Sequence, residues 1–515
     1  MTAKPDLLER ATELFPAPEH AFERLTRRRD RKRRNQRIGV AIVALVLAAA
    51  AIGNLFVAFR SSMSPRPVDR GIDVGTVGDL TLAWKAQAPH TGVGWVGGAS
   101  AGDGVFLVAT DEALVAFDEA CAQDGGRCSA LWTATGRFGP LLRPPGLTFD
   151  AALIADATAY VPGGDRLSAF DLACRSDGAR CEPRWTSSIK GDFRSMPMAL
   201  ADARLYGGFY DPLTGDPSLY AMSTACASSV CDPAWVAHGW WYGGATDGRV
   251  FATSDDALAA FAMDCRDDGG ECAPLWTVPG RWVVAGVDPG HVYAWTDDRL
   301  SAYRSSCTGV ACDEPAWVAS GVGAHVVVGP GIVVASSARG GGLLAFPPDC
   351  AARGGECRPS WVGRGTPWLV ADGLVIATQG SGVVAYPVAC RSDGGACPPT
   401  WISHDPRSSD GRRTVFRPSV VHDGVLFGSI TQLGADRSFR PAAYVLRCGA
   451  EGATCRPAWV SDVEVPGIVA YGPLVDGDHV FLAAATAAAT QRTWQAWPTL
   501  VYAFGLPPAS SPSAS

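Results

Sequence analysis

The sequence predicts an all-β protein, a β-propeller with eight or nine four-stranded blades. A unit of two short strands, a cysteine-bounded loop and a tryptophan-bearing strand recurs from about residue 80 to residue 505, most clearly at 250–276. Apolar side chains alternate within the strands, and a period of two places them on one sheet face. Repeats of this length are typical of propeller blades. The tryptophans that close the units lie 40 to 58 residues apart and are Trp132, Trp185, Trp235, Trp276, Trp317, Trp361, Trp401 and Trp459.

Residues 1–37 form a basic segment ahead of the repeats. They hold eleven Lys and Arg against six Asp and Glu, whereas the whole chain carries a net charge of −7, so residues 38–515 carry −12. Most of the positive charge lies in the run 27–34. Beside an apolar stretch such a run sets membrane orientation, and we expect 1–37 to be cytoplasmic. A nucleic-acid patch is the alternative, but contact with anionic lipid is the simpler explanation, and no nucleic-acid partner is predicted.

The stretch 38–59 is predicted to be a transmembrane helix that also serves as a signal anchor. Its 22 residues contain no charged side chain and one amide, Asn54, and this length suffices to cross a bilayer. A cleaved signal peptide would have a shorter apolar region nearer the N-terminus and a small-residue cleavage site. We therefore expect a single-pass plasma-membrane protein with its N-terminus in the cytoplasm. Residues 60–79 are predicted to be a tether, 80–506 the extracytoplasmic propeller, and 507–515 a disordered tail.

The sixteen cysteines fall into eight sequence-local pairs, one before each of the eight closing tryptophans. Six pairs have the spacing C-x6-C and two have C-x4-C. Structural zinc sites need closer cysteines with a second pair nearby, so disulfides are the simplest explanation, and they indicate an oxidising compartment. We expect no free thiol, and we expect each bridge to constrain only its own hairpin. The pairs are Cys121 with Cys128, Cys174 with Cys181, Cys226 with Cys231, Cys265 with Cys272, Cys307 with Cys312, Cys350 with Cys357, Cys390 with Cys397 and Cys448 with Cys455.

The two ends of the repeat region are predicted to share one blade. A final strand pair at 479–484 and 499–504 is followed by no cysteine loop and no closing tryptophan. The missing strand lies at the other end of the repeats, at 80–84, and it carries Trp84. Closure by this strand removes a sheet edge that would otherwise be a template for aggregation.

Several units show the sequence pattern of a known family. Residues 116–118 read A-F-D ahead of Trp132, and residues 169–171 read A-F-D ahead of Trp185. The pattern resembles the PQQ-like, or quinoprotein-type, propeller repeat over about residues 80–505. The resemblance implies a propeller whose tryptophans dock neighbouring blades, which also fits the burial expected of periodic aromatic residues. The chain has a cysteine loop where the family commonly has a T-G-K type turn.

No catalytic set, metal site or cofactor is predicted. The quinoprotein dehydrogenases of that family share a vicinal cysteine pair, a calcium ion held partly by asparagine, and an aspartate base. This chain has no adjacent cysteines, and no asparagine follows Asn54, so it resembles the non-catalytic members. Histidines beyond the apolar stretch are scattered singly. Acidic pairs such as 255–256 and 297–298 fall at hairpin turns, where Asp is favoured because its side chain bonds nearby backbone.

A group of aromatic residues is the most unusual local feature. Its members follow a tryptophan strand and precede the next strand pair, which would place them on the innermost strand of a blade or in the loop before it. One hypothesis is that they form a stacking surface for a ligand or peptide near the central channel; the other is that they pack blade against blade. The group comprises Trp95, Trp240, Trp241, Tyr242, Trp282 and Trp368.

Together these features predict a membrane-anchored extracytoplasmic propeller that acts as a binding platform for a protein or ligand of the bacterial cell envelope. The scarcity of Asn and Lys, with much Ala, Arg and Gly, is typical of a high-GC bacterial source. Two other functions stay open. One is a quinone- or metal-dependent oxidoreductase, and the other is a transmembrane regulator or sensor whose N-terminal segment binds a cytoplasmic partner.

Overall fold

The structure, a computed structural model, is a β-propeller whose described part forms nine four-stranded blades. The number lies within the predicted range, and the ninth blade is the one shared by the two ends of the repeat region. All described residues belong to the compact unit Arg70–Ser515. They are 71–88, 96–110, 112–121, 125–138, 151–174, 177–193, 197–308, 312, 314–350, 355–390, 392–403, 414–432, 438–449, 452–466, 468–469, 472–485 and 499–507.

The strands of each blade are antiparallel and run in sequence from the centre of the ring to its rim. Blade 1 consists of Val96–Gly102, Val105–Thr110, Ala113–Asp118 and Trp132–Thr135; blade 2 of Leu153–Ala155, Thr158–Pro162, Leu167–Asp171 and Trp185–Ser187; blade 3 of Met198–Ala201, Arg204–Tyr210, Pro217–Ser223 and Trp235–His238. Blade 4 consists of Trp241–Thr246, Arg249–Thr253, Ala257–Ala262 and Trp276–Pro279; blade 5 of Val283–Asp288, His291–Thr296, Arg299–Arg304 and Trp317–Ser320; blade 6 of Val322–Gly329, Ile332–Ser337, Gly342–Phe346 and Trp361–Arg364.

The last three blades follow the same order, and the ninth takes strands from both ends of the chain. Blade 7 consists of Thr366–Ala371, Leu374–Gln379, Gly382–Pro387 and Trp401–Ser403; blade 8 of Thr414–His422, Val425–Gln432, Ser438–Val445 and Trp459–Val460, with Val465–Pro466 paired to its third strand. Blade 9 consists of a two-part innermost strand, Ile468–Val469 and Leu474–Asp476, then His479–Ala485, Thr499–Gly505 and Thr81–Ala88.

Tight turns join the innermost strand of a blade to the next strand. At Asp103-Gly104 and Asp247-Gly248 both central residues have positive φ, 53° and 78° in the first turn and 51° and 71° in the second. Glycine adopts this conformation without a side-chain penalty and Asp tolerates it, as in type I′ hairpins. The Asp247 carboxylate also accepts the amide N–H of Gly290 in the next blade at 2.7 Å, so the turn links neighbouring blades.

The N-terminal strand closes the ring, as predicted. Thr81–Ala88 pairs antiparallel with Thr499–Gly505 and is the last of the four strands of blade 9. A short 3-10 helix, Val77–Asp79, precedes it. The indole N–H of Trp459, in blade 8, donates to the carbonyl oxygen of Leu80 at 2.9 Å across 379 residues of sequence. The two ends of the propeller are therefore in direct contact.

The tryptophan at the start of each blade's last strand, or within it in blade 9, docks that blade onto its successor. All nine of these described tryptophans are buried, with at most 6% of their surface exposed. Five indole N–H groups donate, at 2.6–3.1 Å, to the carbonyl oxygen two residues before the first cysteine of the next blade. Because a buried indole N–H needs a partner, the bond orients the ring as well as anchoring it. These bonds run from Trp84 to Glu119, Trp132 to Leu172, Trp235 to Met263, Trp317 to Pro348 and Trp401 to Leu446.

Seven of the eight predicted cysteine pairs are disulfide-bonded. Their Cα atoms lie 5.5–6.1 Å apart, within the usual range for a disulfide. Each bridge joins two cysteines of the same loop, as predicted. The bonded pairs are Cys121 with Cys128, Cys174 with Cys181, Cys265 with Cys272, Cys307 with Cys312, Cys350 with Cys357, Cys390 with Cys397 and Cys448 with Cys455.

The cysteine loops also join neighbouring blades. The amide of Cys128 donates to the carbonyl oxygen of Lys85 at 2.9 Å, and the amide of Cys272 to that of Val236 at 2.7 Å, each in the preceding blade. Without this contact the last strand of a blade would present unpaired backbone groups at a sheet edge. Segments that pair in parallel with a preceding blade are Gly126–Arg127, Val230–Cys231, Gly355–Glu356 and Ala453–Cys455.

The second cysteine of each bonded loop is buried against the preceding blade. Cys181 shares an apolar cluster with Trp132 of blade 1, and Cys312 shares one with Trp276 of blade 4. The buried second cysteine thus contributes to the contact between two blades. The unbonded Cys231 is buried in the same way with Trp185 of blade 2, so burial does not depend on a bridge, and the expectation that each bridge constrains only its own hairpin stays a prediction. Amides of three of these cysteines donate to a preceding blade at 2.5–2.8 Å, from Cys181 to Thr133, from Cys357 to Val318 and from Cys397 to Val362. The buried second cysteines of the bonded loops are Cys128, Cys181, Cys272, Cys312, Cys357, Cys397 and Cys455.

The eighth pair, Cys226 and Cys231 of blade 3, is not bonded, so the prediction of no free thiol is wrong. The backbone of Cys231 is held by its pairing with the last strand of blade 2. The Cys226 thiol lies 3.6 Å from the carbonyl oxygen of Ser228 and within hydrogen-bonding reach of the Cys231 thiol. The short spacing alone does not explain the difference, because the other pair with four intervening residues is bonded. Burial raises the pKa of the Cys231 thiol.

The end of the predicted tether is folded against blades 8 and 9. Ile72 and Val77 are buried there in one apolar cluster with residues of both blades. The predicted cytoplasmic segment 1–37, the predicted transmembrane helix 38–59 and residues 508–515 of the tail lie outside the described residues. Among the described residues, no helix has the length and apolar character needed to cross a membrane.

We predict that deletion of residues 79–86 abolishes cooperative folding of the propeller. The deletion removes most of the closing strand and leaves the edge of Thr499–Gly505 and its apolar face exposed. Thermal unfolding followed by circular dichroism, with size-exclusion chromatography, should show aggregation and no single sharp transition. Deletion of residues 508–515, which has equal length, is the control. A 79–86 deletion that unfolds in one transition close to that of the control would contradict ring closure by this strand.

The thiol pair in blade 3 predicts an ordered pattern of alkylation. Iodoacetamide added to the native protein should modify Cys226, which is half-buried, well before Cys231, which is buried and whose raised pKa keeps the reactive thiolate scarce. Non-reducing peptide mapping should find seven sequence-local bridges. A chain that remains unlabelled after unfolding, with eight bridges, would show that this pair is also oxidised.

Candidate functional site

Five of the six aromatic residues singled out in the sequence lie in the part of the chain that the structure describes. Trp241 begins the innermost strand of blade 4, with Trp240 directly before it. Trp282 directly precedes the innermost strand of blade 5, and Trp368 lies within that of blade 7. Trp95 lies outside the described residues. The described members of the group are therefore on an innermost strand or in the loop before it.

Three of these side chains line a single cleft between blades 4 and 5. Trp241, Tyr242 and Trp282 contribute to its wall, and its volume is about 330 Å³. The turn between the second and third strands of blade 4 adds Asp255, and the connection from blade 4 into blade 5 adds Arg281. The cleft thus combines aromatic surface with one acidic and one basic side chain.

A β-bulge in each of the two innermost strands positions the cleft. The pairing with the next strand shifts between Tyr242 and Gly244 in blade 4, and between Val284 and Gly286 in blade 5. Bulges re-aim side chains and bend the strand locally. A Cβ atom at Gly243 would lie 2.5 Å from the Cβ atom of Val284, so only glycine permits this approach of the two strands. The close approach brings the aromatic residues of the two blades into one cleft.

The Trp282 ring is held in a fixed position. Its indole N–H donates to the carbonyl oxygen of Pro279 at 3.2 Å, and its ring meets Tyr303 edge-on, with ring centroids 5.9 Å apart and an interplanar angle of 86°. Trp241 and Trp282 both stay partly exposed. Tyr242, in contrast, is only 8% exposed, and burial raises the pKa of its hydroxyl. Two indoles are thus available to a ligand.

The two charged groups of the cleft are exposed and unpaired. Within the described ranges, neither Asp255 nor Arg281 makes a hydrogen bond or an ion pair. The neighbouring Asp256 carboxylate, in contrast, accepts the Ser254 hydroxyl at 2.7 Å and belongs to the turn. Asp255 therefore offers a free acceptor, and Arg281 offers free donors in a planar fork.

The second hypothesis for the aromatic group, that its members pack blade against blade, applies to Trp240. Its ring meets Phe261 edge-on, with centroids 5.5 Å apart and an interplanar angle of 76°, and its amide donates to the carbonyl oxygen of Pro217 in blade 3 at 3.2 Å. Trp368 is not among the residues that line the cleft. Of the aromatic group predicted from the sequence, Trp240 therefore packs between blades, Trp241, Tyr242 and Trp282 line the cleft, and Trp368 lies apart from it on the innermost strand of blade 7.

Sequence reasoning misses the charged side chains of the cleft. The sequence assigns Asp255 to a hairpin turn, and Arg281 carries no periodic signal. The only hint in the sequence is that Arg281 stands directly before Trp282. Their convergence depends on contact between two blades, which the repeat pattern of one blade does not contain.

A second polar group lies where the ring closes. Glu119 of blade 1 lies near Asp476 and Asp478 of blade 9, and burial, a hydrogen bond with Asp476 and the nearby negative charges raise the pKa of Glu119 to about 9. Its side chain is therefore protonated at neutral pH. The carbonyl oxygen of Glu119 accepts the Trp84 indole N–H at 2.8 Å, so this group belongs to the closing contact. Among the described residues, no three His, Cys, Asp or Glu side chains are grouped closely enough to hold a metal ion.

Comparison with known proteins gives only distant similarities. No family model matches the chain, and no curated protein matches it. Kluyveromyces lactis Hsv2 is 8% identical, with 56% of this chain and 90% of that chain covered and a TM-score of 0.34. The AfRom2 CNH domain is 8% identical, with 69% and 96% covered and a TM-score of 0.35. Apo AztD from Citrobacter koseri is 10% identical, with 72% and 89% covered and a TM-score of 0.34. Similarities this weak carry no argument about function, and the PQQ-like resemblance stays a prediction.

The raised pKa of Glu119 predicts a pH-dependent stability. The folded-state pKa of Glu119, about 9, lies above the ordinary value of 4.5, so the folded protein favours the protonated side chain more than the unfolded chain does. The contribution of this side chain to the free energy of unfolding is therefore fully present below about pH 4.5 and is lost as the pH rises through about 9. Glu119→Gln keeps a hydrogen-bonding side chain without the charge. Denaturant unfolding at about pH 5, 7 and 9 should show that this variant loses less stability than the parent with rising pH. The exposed Glu314→Gln is the control, and equal slopes in all three proteins would contradict the prediction.

Proposed function

We propose that this protein is a binding platform of the cell envelope. Residues 38–59 anchor it in the plasma membrane, the propeller lies on the extracytoplasmic side, and the ligand binds in the cleft between Trp241 and Trp282. The observation that carries the proposal is the cleft itself, where two partly exposed indoles accompany a carboxylate and a guanidinium that have no partner among the described residues.

The exposure of Trp241 and Trp282 inside a cleft supports binding, whereas Trp240 is also partly exposed but lies outside the cleft. The nine docking tryptophans of the described chain are at most 6% exposed, whereas Trp241 and Trp282 are only partly covered. Apolar surface left in a concave position, with a few convergent polar groups, is typical of ligand sites. The innermost strands and their bulges form a rigid frame for this site, which lowers the ordering cost of binding.

Three features support the membrane and extracytoplasmic parts of the proposal. Seven disulfides are typical of an oxidising compartment. An uncharged stretch at 38–59 has the length of a bilayer span, and the basic run at 27–34 favours a cytoplasmic N-terminus. The net charge of −12 on residues 38–515 disfavours a polyanion as the partner.

Photo-crosslinking in intact cells tests the proposal. With p-benzoylphenylalanine in place of Val283, a cleft residue that is 57% exposed, the full-length chain should give a discrete adduct in the membrane fraction. The same probe at Leu275, which is 44% exposed and outside the cleft, should give none. Protease added to spheroplasts should digest the adduct, because the propeller faces outward.

Two results would contradict the proposal. Equal labelling from Val283 and Leu275 would show that the cleft is no preferred site. Resistance of the chain to external protease in spheroplasts would contradict the outward orientation of the propeller. Recovery of the chain in the soluble fraction would contradict the membrane anchor.

A further inference from the structure

We infer that the cleft between Trp241 and Trp282 binds a short, neutral saccharide. This inference rests on the proposed function and names the ligand class for the same site. It is argued from the aromatic surface of the cleft, from the balance of its two charges and from its size.

The aromatic side of the cleft matches the apolar face of a sugar ring. A pyranose presents axial C–H groups on a flat face, and an indole gains dispersion contact with such a face without requiring a charge. Trp282 is already fixed by its hydrogen bond to Pro279 and by its edge-on contact with Tyr303. Because this ring loses little further freedom on binding, stacking against it costs little ordering entropy.

The charged side chains of the cleft select a ligand without net charge. Asp255 accepts hydrogen bonds and Arg281 donates them, and neither has a partner in the described part of the chain. A sugar hydroxyl both donates and accepts, so it can serve either group. A cation would be attracted by Asp255 and repelled by Arg281. An anion would be attracted by Arg281 and repelled by Asp255. A small zwitterion would meet both, but exposed ion pairs contribute little because water screens them.

The size of the cleft favours a short ligand. Its volume of about 330 Å³ lies near the lower end of the range for small-molecule sites, roughly 300–1,000 Å³. A long extended peptide would need a groove that continues along the blades. The described lining residues are confined to blades 4 and 5 and the connection between them.

Titration with defined soluble sugars tests the inference. The full-length chain, solubilised without glycoside detergents, would be titrated with cellobiose, maltose, N,N′-diacetylchitobiose and the sugars of a neutral glycan array, followed by tryptophan fluorescence and calorimetry. A neutral saccharide should bind with saturation and shift the tryptophan emission. Trp282→Ala and Asp255→Asn should each weaken its binding about tenfold or more, as loss of a stacking surface or of a charged hydrogen-bond partner does.

Matched variants separate a lost contact from a lost fold. Asp255 and Arg281 are exposed and unpaired among the described residues, so Asp255→Asn and Arg281→Gln should fold normally even if Trp282→Ala does not. Asp298→Asn and Arg299→Gln, at exposed positions of the corresponding hairpin in blade 5, should leave the affinity unchanged. Weakening by these control variants equal to that by the cleft variants would overturn the inference.

Two further outcomes distinguish this inference from the proposed function. Binding of charged peptides or amino acids, lost on substitution of the cleft residues while no neutral sugar binds, would overturn the saccharide assignment and leave the platform in place. Failure of every sugar and peptide to bind at millimolar concentration, together with no adduct from Val283 in intact cells, would overturn both.

Discussion

The docking of a buried tryptophan onto the next blade is the interaction on which this fold depends. A four-stranded blade cannot bury both of its faces alone, so it is stable only against its neighbours. The indole fills the space between two blades, and in five described cases its N–H also satisfies a carbonyl oxygen of the following blade. Because every blade depends on its successor, the ring must close, and the contact of Trp459 with Leu80 supplies the analogous bond at blade 8.

The same dependence between blades explains the disulfide loops and the cleft. Each cysteine loop named above covers the rim strand of the preceding blade through backbone hydrogen bonds, and the loop of blade 3 does so without a bridge. Near the centre of the ring, the contact that Gly243 permits with Val284 sets the spacing of blades 4 and 5. Trp241 there stands on a strand, and Asp255, Arg281 and Trp282 lie in short turns and connections next to strands, which hold a site more precisely than long loops do.

Features that repeat along the chain can be predicted from the sequence, whereas contacts between particular side chains of two blades cannot. The period-two strands and the closing tryptophans are encoded within each unit and predict the propeller. The unmatched strand at Trp84 predicts its closure because the last unit lacks a closing strand. The contact of Cys128 with Lys85 and the convergence of Asp255 with Trp282 depend on how two units meet. The unbonded pair in blade 3 departs from the other repeats, and neither its spacing nor its place in the repeat distinguishes it in the sequence.

Hydrogen exchange at the closing junction tests the account most directly. The amides of Gly125 and Cys128 donate to the N-terminal strand at 2.8 and 2.9 Å, and those of Gly269 and Cys272 make the same contacts between blades 3 and 4 at 2.9 and 2.7 Å. If the ring is one cooperative unit, all four amides should exchange only through the same global opening and show equal protection. Rapid exchange at Gly125 and Cys128, with Gly269 and Cys272 protected, would show that the ring is not closed by this strand.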